Sequence, residues 1–371
     1  MALIMERRQW LKTSTFAAAA CAVARGRLSA ATGLESDAAE MIYLDQNENP
    51  YGISKRTMEA ILDAIKLSHR YPGDEMRELR DLIAKQEGVP NDHVVLGAGS
   101  TEIFSLAVLL YGADGKEVLL AEPTYIGFKN FVERLKGKLN SVPVNDRYEC
   151  DLDQMSRRLT KNTSLVYACN PNNPTGTIVD GGKLRVFCEE AARQSVVFVD
   201  EAYHDLVEDS RYSSMMDLVR KGSNVMVSRT FSKIHGLAGL RVGYGIARPP
   251  IIEQFRRIQT NFAPMSQLSI AAAKASYTDA DFLSFCRQRN AEARAGFYDL
   301  LEKLGYKAVR GSQTNFVIFE VDKKPDLFVE ELKKHNCLVR PFEFLNKNWI
   351  RVSMGTLEEM GKLAVAMRKL S

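Results

Sequence analysis

Between residues 94 and 227 the chain alternates short apolar runs with segments whose apolar residues recur at helical spacing. Runs at 94–96, 117–120, 164–168, 196–199 and 224–227 read as strands; 100–110, 125–135 and 182–193 read as helices between them. Strands that are apolar throughout are covered on both faces. The alternation therefore predicts an α/β fold with a mostly parallel sheet sandwiched by helices. In such sheets ligands gather outside the carboxyl ends of the strands. Hydrophobic residues make up 45% of 371 positions, enough for two domains with sizeable cores. Beyond Arg248-Pro249-Pro250 the pattern shifts to long helical stretches, 266–276 and 281–304. Strands at 315–320 and 349–353 follow, around a helix from Pro325. This predicts a smaller α+β domain over 249–371 and a large domain over 71–248. A polar arm and first helix occupy 32–70.

Each chemically suggestive stretch falls at a strand end. The run at 224–227 leads into Ser228-Arg229-Thr230-Phe231-Ser232-Lys233, and Arg241 follows. Hydroxyls at Thr230 and Ser232 with a lysine and an arginine suit a phosphate pocket, although a surface turn with incidental basic residues is the plain alternative. A lysine beside a bound phosphate points to Schiff-base chemistry with a phosphorylated aldehyde, pyridoxal 5'-phosphate. Val199-Asp200-Glu201-Ala202-Tyr203 sets an acid at the end of a buried strand, which is costly unless paired. A protonated pyridine nitrogen would pair it; so would a structural salt bridge. Tyr203 could bond the cofactor's phenolic oxygen or simply pack. Asn170-Pro171-Asn172-Asn173-Pro174-Thr175-Gly176 is a stiff loop from which an asparagine amide could reach the same oxygen; an ordinary turn is the plain alternative. Gly97-Ala98-Gly99-Ser100-Thr101-Glu102 joins a strand to a helix, where free N–H groups attract phosphate. No G-K-[ST] follows, so it is not a nucleotide P-loop. Tyr125, after Glu122-Pro123-Thr124, could lie on the cofactor ring or in the core. Arg351, inside the apolar Trp349-Ile350-Arg351-Val352, needs an anion: a carboxylate ligand or a domain-crossing partner.

Nine motifs occur in order: N-E-N-P-Y-G, R-Y-P, G-A-G-S-T-E, E-P-T-Y, N-P-N-N-P-T-G, D-E-A-Y, S-R-T-F-S-K, G-L-A-G-L-R-V-G-Y and W-I-R-V-S. Together they resemble the pyridoxal-phosphate-dependent aminotransferases of fold type I, most closely the histidinol-phosphate aminotransferase-like group. The resemblance runs from about Tyr43 to Ser371. It implies that Lys233 carries the cofactor and that Asp200 pairs with its ring nitrogen. Asn173 and Tyr203 would bond the phenolic oxygen, and Tyr125 would stack on the ring. Ser100, Thr101, Thr230, Ser232 and Arg241 would hold the phosphate. Tyr71 would reach it from a second subunit, making a homodimer. Arg351 would take the substrate's acidic group with Asn173 beside it, and Tyr51 would ride on an arm that closes over the substrate.

The activity so implied is ping-pong transamination between an amino acid, or a phosphorylated amine like histidinol phosphate, and a 2-oxo acid. A threonine-phosphate-type decarboxylase or an amino-acid lyase on the same fold is the alternative. The lead-in L-D-Q-N-E-N departs from the more apolar one of many relatives. A cofactor-binding regulator would need a DNA-binding domain, for which the residues before the arm leave no room.

Residues 1–31 differ from the rest. Arg7-Arg8 precede Trp10, Leu11 and Lys12, then come a mild apolar run at 16–24, Arg25, Arg27 and Ser29-Ala30-Ala31. This order resembles a twin-arginine export signal and implies a periplasmic or secreted protein; a basic tail on a cytoplasmic one is the alternative. The run falls short of the ~20 residues a membrane anchor needs. Five basic residues against Glu6 give this segment the +4 carried by the whole chain, so a mature chain from Thr32 is near neutral. Charge therefore argues neither for nucleic acid nor for a membrane surface. Six cysteines without a C-x-x-C or a neighbouring histidine pair argue against a zinc site, and Cys169 and Cys188 read as core; an exported protein could oxidise its cysteines, but their spacing shows no disulfide framework.

Overall fold

The computed structural model describes residues 41–259 and 265–370; the expected export signal lies outside them. The strands are β1 (Ile42–Tyr43), β2 (Val94–Gly97), β3 (Glu117–Glu122), β4 (Lys138–Pro143), β5 (Thr163–Cys169), β6 (Val196–Asp200), β7 (Val225–Thr230), β8 (Gly243–Ile246), β9 (Phe316–Val321), β10 (Cys337–Leu338), β11 (Arg340–Phe344) and β12 (Lys347–Ser353). Seven of them form one sheet in the order β2-β8-β7-β6-β5-β3-β4. Only β8 runs against its neighbours, and β3 to β7 pair in parallel.

Side-chain alternation explains why both faces are apolar. Leu119, Val166, Val197, Val199, Val225 and Val227 face a core shared with the helices Asp74–Glu87, Gly181–Ala191 and Met216–Arg220. Their alternates, Val118, Leu120, Leu165, Tyr167, Phe198 and Met226, face a second core under the helices Ser100–Tyr111, Ile126–Arg134 and Pro249–Ile258. The sandwich is the expected one. β4 and β8 were not legible in the sequence. β4 reads Lys-Leu-Asn-Ser-Val-Pro and lies at the sheet edge, half exposed, so nothing forces it to be apolar. β8 reads Gly-Tyr-Gly-Ile because a side chain at Gly243 would lie 2.3 Å from Ser100 N.

A second sheet, β11-β12-β9, is antiparallel throughout. It packs with the helices Ala280–Lys303, Pro325–Lys333 and Leu357–Arg368 around a third core. The last helix, absent from the sequence reading, starts with a capping box between Thr356 and Glu359. The arm joins this region: β1 pairs in parallel with β10, and Leu44 enters the same core. Residues 45–52 then cross towards the carboxyl ends of β5, β6 and β7, where Asn47 Nδ2 meets the Tyr203 hydroxyl.

Candidate active site

The strand ends enclose a cavity of about 260 Å³ lined by ten of the expected residues: Ser100, Thr101, Tyr125, Asn173, Asp200, Tyr203, Thr230, Ser232, Lys233 and Arg241. One end is a hydroxyl and guanidinium cradle. Thr230 closes β7, and its Oγ1 accepts from Ser232 N at 3.1 Å and lies 3.0 Å from Ser232 Oγ. Arg241 Nη1 donates to Ser232 Oγ at 3.3 Å and to Ala238 O at 2.9 Å. Opposite stands the N-terminus of the helix Ser100–Tyr111, whose first N–H groups favour an anion. Gly99 caps it at φ 78°, and a Cβ there would sit 2.3 Å from Arg241 Nη2. Only glycine allows the guanidinium this close.

The middle of the cavity holds an acid and an amine. Asp200, at the end of β6, is 5% exposed. Its Oδ2 accepts from Tyr167 Oη at 2.8 Å and its Oδ1 from Ala202 N at 3.1 Å. Burial pushes its pKa up to about 6, against the pull of those two donors. Lys233 Nζ donates to Gln46 O at 3.2 Å and lies 5.8 Å from the Tyr203 ring centre. Burial, then the charge of Arg351, brings the Lys233 amine down to about 8. The Tyr203 hydroxyl accepts from Asn47 Nδ2 at 2.9 Å and Asn173 Nδ2 at 3.4 Å. Tyr125 stands edge-on to Phe104 with its ring centre 5.9 Å away.

Arg351 borders this group from β12. It is 6% exposed, and its Nη1 donates to Asn173 Oδ1 at 2.8 Å while Nη2 donates to Asp45 O at 2.7 Å. Among the described residues no carboxylate lies within ion-pair reach, and Nε has no hydrogen-bond partner. Burial lowers its pKa to about 10. Arg340 of β11 lies directly across the strand pair from Arg351. Like charges so opposed destabilise a sheet unless an anion sits with them.

Two expected residues stand apart. Tyr51 lines a neighbouring small cavity beside Cys286 and packs edge-on to Phe285 at 5.1 Å. Tyr71 is 84% exposed and lines a surface cavity formed by residues 68–72 and 265–268.

Sequence reasoning missed several members. Gln46 and Glu48 line the cavity, and Asn47 holds Tyr203 while its own N–H donates to Ser353 Oγ at 2.8 Å. Their signal was the polar density of the arm, from which only Tyr51 was singled out. Tyr167 lies within β5, two residues before Cys169 and so on the same face. On the opposite face of β6 and β7, Arg229 binds Glu87 at 2.6 Å and Glu201 at 2.9 Å. D-E-A-Y therefore divides its acids: Asp200 towards the cavity, Glu201 towards this buried triad. Among the described residues, Cys150, Cys169, Cys188, Cys286 and Cys337 are buried free thiols.

The sequence has known relatives. It is 33% identical over 333 residues to the histidinol-phosphate aminotransferase of Moorella thermoacetica, covering 89% of this chain and 86% of that one. It is also 33% identical to histidinol-phosphate aminotransferase 1 of Cupriavidus pinatubonensis, covering 90% and 89%. The structure of the histidinol-phosphate aminotransferase of Sinorhizobium meliloti in complex with pyridoxal-5'-phosphate superposes with a TM-score of 0.83 at 27% identity, covering 90% of this chain and 92% of that one. Residues 39–367 match the family described as aminotransferase class I and II, and the chain belongs to that family.

Proposed function

We propose that this pyridoxal-phosphate-dependent aminotransferase acts on an amino donor that carries a strongly acidic group, seated on Arg351. The observation that carries the reading is Arg351 itself, a buried guanidinium without a carboxylate partner among the described residues and with an idle Nε. A buried charge of this kind is costly without an anion. Arg340 opposite it favours a dianion, such as the phosphate of the compound in the relatives' names, over a single carboxylate.

The residues fit the cofactor. Thr230, Ser232, Arg241, Ser100 and Thr101 would hold its phosphate in the cradle that Gly99 keeps open. Asp200 would face the ring nitrogen, Asn173 and Tyr203 the phenolic oxygen, and Tyr125 the ring. Lys233 would carry the cofactor covalently. Bound there, pyridoxal phosphate supplies a sink for the electron pair left at the substrate's α-carbon. The chain's own part is proton transfer and orientation. Lys233 Nζ, released when the donor's amine takes its place on the cofactor, would take the proton from the α-carbon and deliver it to the cofactor carbon that the lysine had held, and an amine titrating at about 8 suits both taking and giving near neutral pH. Arg351 and Asn173 fix the donor so that the α-hydrogen faces Nζ.

The test is a panel of donors against 2-oxoglutarate, including histidinol phosphate and common amino acids. A phosphorylated donor should lead, and Arg351→Ala should lower kcat/KM by roughly 10²-fold or more while cofactor absorbance stays normal. Release of carbon dioxide or ammonia in place of an oxo acid would overturn the reading.

We also infer export, from Arg7-Arg8 and the weakly apolar run that follows. A cofactor bound only by the folded site suits a route that carries folded cargo. The mature protein should begin near Thr32 in the periplasm or medium, and lysines at positions 7 and 8 should trap active enzyme in the cytoplasm. Wild-type protein fractionating in the cytoplasm with Met1 intact would reject export.

A further inference from the structure

We infer that Tyr167 is a positioning residue for the reaction: its phenol O–H keeps the Asp200 carboxylate ionised and aimed into the cavity. The inference rests on the reading of Asp200 as the partner of the cofactor's ring nitrogen. Tyr167 and Asp200 lie on adjacent parallel strands, with Tyr167 opposite Phe198 and Cys169 opposite Asp200. The phenol thus reaches along the strands to the carboxylate, and Oη donates to Oδ2 at 2.8 Å.

The ring has little freedom to aim elsewhere. It is 1% exposed and stacks on Phe128 with centres 3.7 Å apart and planes 14° apart. Phe198 lies 6.0 Å away at 25°. A buried phenol stays protonated and donates, and an ionised carboxylate is the stronger acceptor. Beside this bond the carboxylate has Ala202 N at 3.1 Å. Removing the hydroxyl leaves Oδ2 against aromatic carbon, and a buried carboxylate short of donors shifts towards its neutral acid. A neutral acid cannot stabilise a cation on the ring nitrogen.

The test uses holoenzyme loaded with ¹⁵N-labelled pyridoxal phosphate and follows the ring-nitrogen signal against pH. Asp200→Asn should strongly lower the pH at which that nitrogen loses its proton. Tyr167→Phe, which keeps the stacked ring, should lower it by about one unit and reduce kcat roughly tenfold, with donor KM changed little, as expected for one lost charge-assisted bond. 3-Fluorotyrosine at position 167, a stronger donor of nearly the same shape, should raise it; this variant keeps the inference testable if Tyr167→Phe fails to fold. If Asp200→Asn moves the signal while both Tyr167 substitutions leave it in place, Tyr167 only packs and the inference is overturned. If Asp200→Asn itself leaves the signal unmoved, the reading of Asp200 fails, and the inference with it.

Discussion

At Asp200 burial and charge work against each other, and the balance can be measured. Its folded pKa of about 6 lies above the ordinary 3.8, so folding of the cofactor-free chain favours the protonated acid. The stability linked to this group is therefore complete below pH 3.8 and is lost as pH rises to about 6. About two units correspond to roughly 3 kcal/mol. Without cofactor, Asp200→Asn should melt above wild type at pH 7, and the gap should close towards pH 4; thermal unfolding across pH checks it. An unchanging gap would mean that Asp200 is already paired. Asp200 was legible because a charge at the end of an apolar run is rare and expensive, and Lys233 because the hydroxyls of Thr230 and Ser232 and the guanidinium of Arg241 accompany it in the sequence. Tyr167 and Asn47 were not. A tyrosine is at home in a buried strand, and an asparagine in an irregular arm, so neither breaks a local pattern. Only the fold brings Tyr167 within 2.8 Å of Asp200 and Asn47 within 2.9 Å of Tyr203.

At the scale of elements, β6 and β7 do two jobs on opposite faces. Their ends deliver Asp200, Thr230 and Lys233 to the cavity, while Glu201 and Arg229 turn away into a buried triad with Glu87. Arg229 Nη2 also donates to Ser214 Oγ at 3.0 Å, and Glu201 Oε1 accepts from Met215 N at 2.8 Å. Arg229→Leu strands two buried carboxylates and should cost about 3–5 kcal/mol, read from the urea midpoint. Adding Glu87→Gln and Glu201→Gln should recover part of the loss. A midpoint unmoved by Arg229→Leu would mean water reaches the triad. These central strands were legible because burial on both sheet faces demands unbroken apolar runs. Arg229 falls just past such a run and gave no hint of its partners, since Glu87 comes from a distant helix. β8 was hidden for the opposite reason: close approach to the helix at Ser100 imposes glycine, which weakens the strand signal.

At the scale of the whole molecule, one surface of the isolated chain is poorly suited to water. On the helix Lys55–Ile65, Met58, Leu62 and Ile65 are 47%, 59% and 50% exposed, at positions that share a helix face. Leu67 and Tyr71 extend the apolar exposure beyond the helix end, next to the cavity formed with residues 265–268. Exposed apolar patches of this kind mark interaction surfaces. A second copy would suit it, because a two-fold axis would bury the same patch on both chains. Tyr71, which does not line its own chain's cavity, would in such a dimer serve the partner's. Shared sites make a specific forecast. Lys233→Ala and Tyr71→Ala chains should each be inactive alone. In a mixed dimer, one cavity combines an intact Lys233 with an intact Tyr71 from the other chain, and the second cavity lacks both. Random mixing makes half the dimers mixed, so activity should return to about a quarter of wild type. Size-exclusion chromatography of the mixture should show dimers throughout. Full activity in a monomer, or a mixture that stays inactive although mixed dimers form, would remove Tyr71 from the site and leave the apolar patch to another partner.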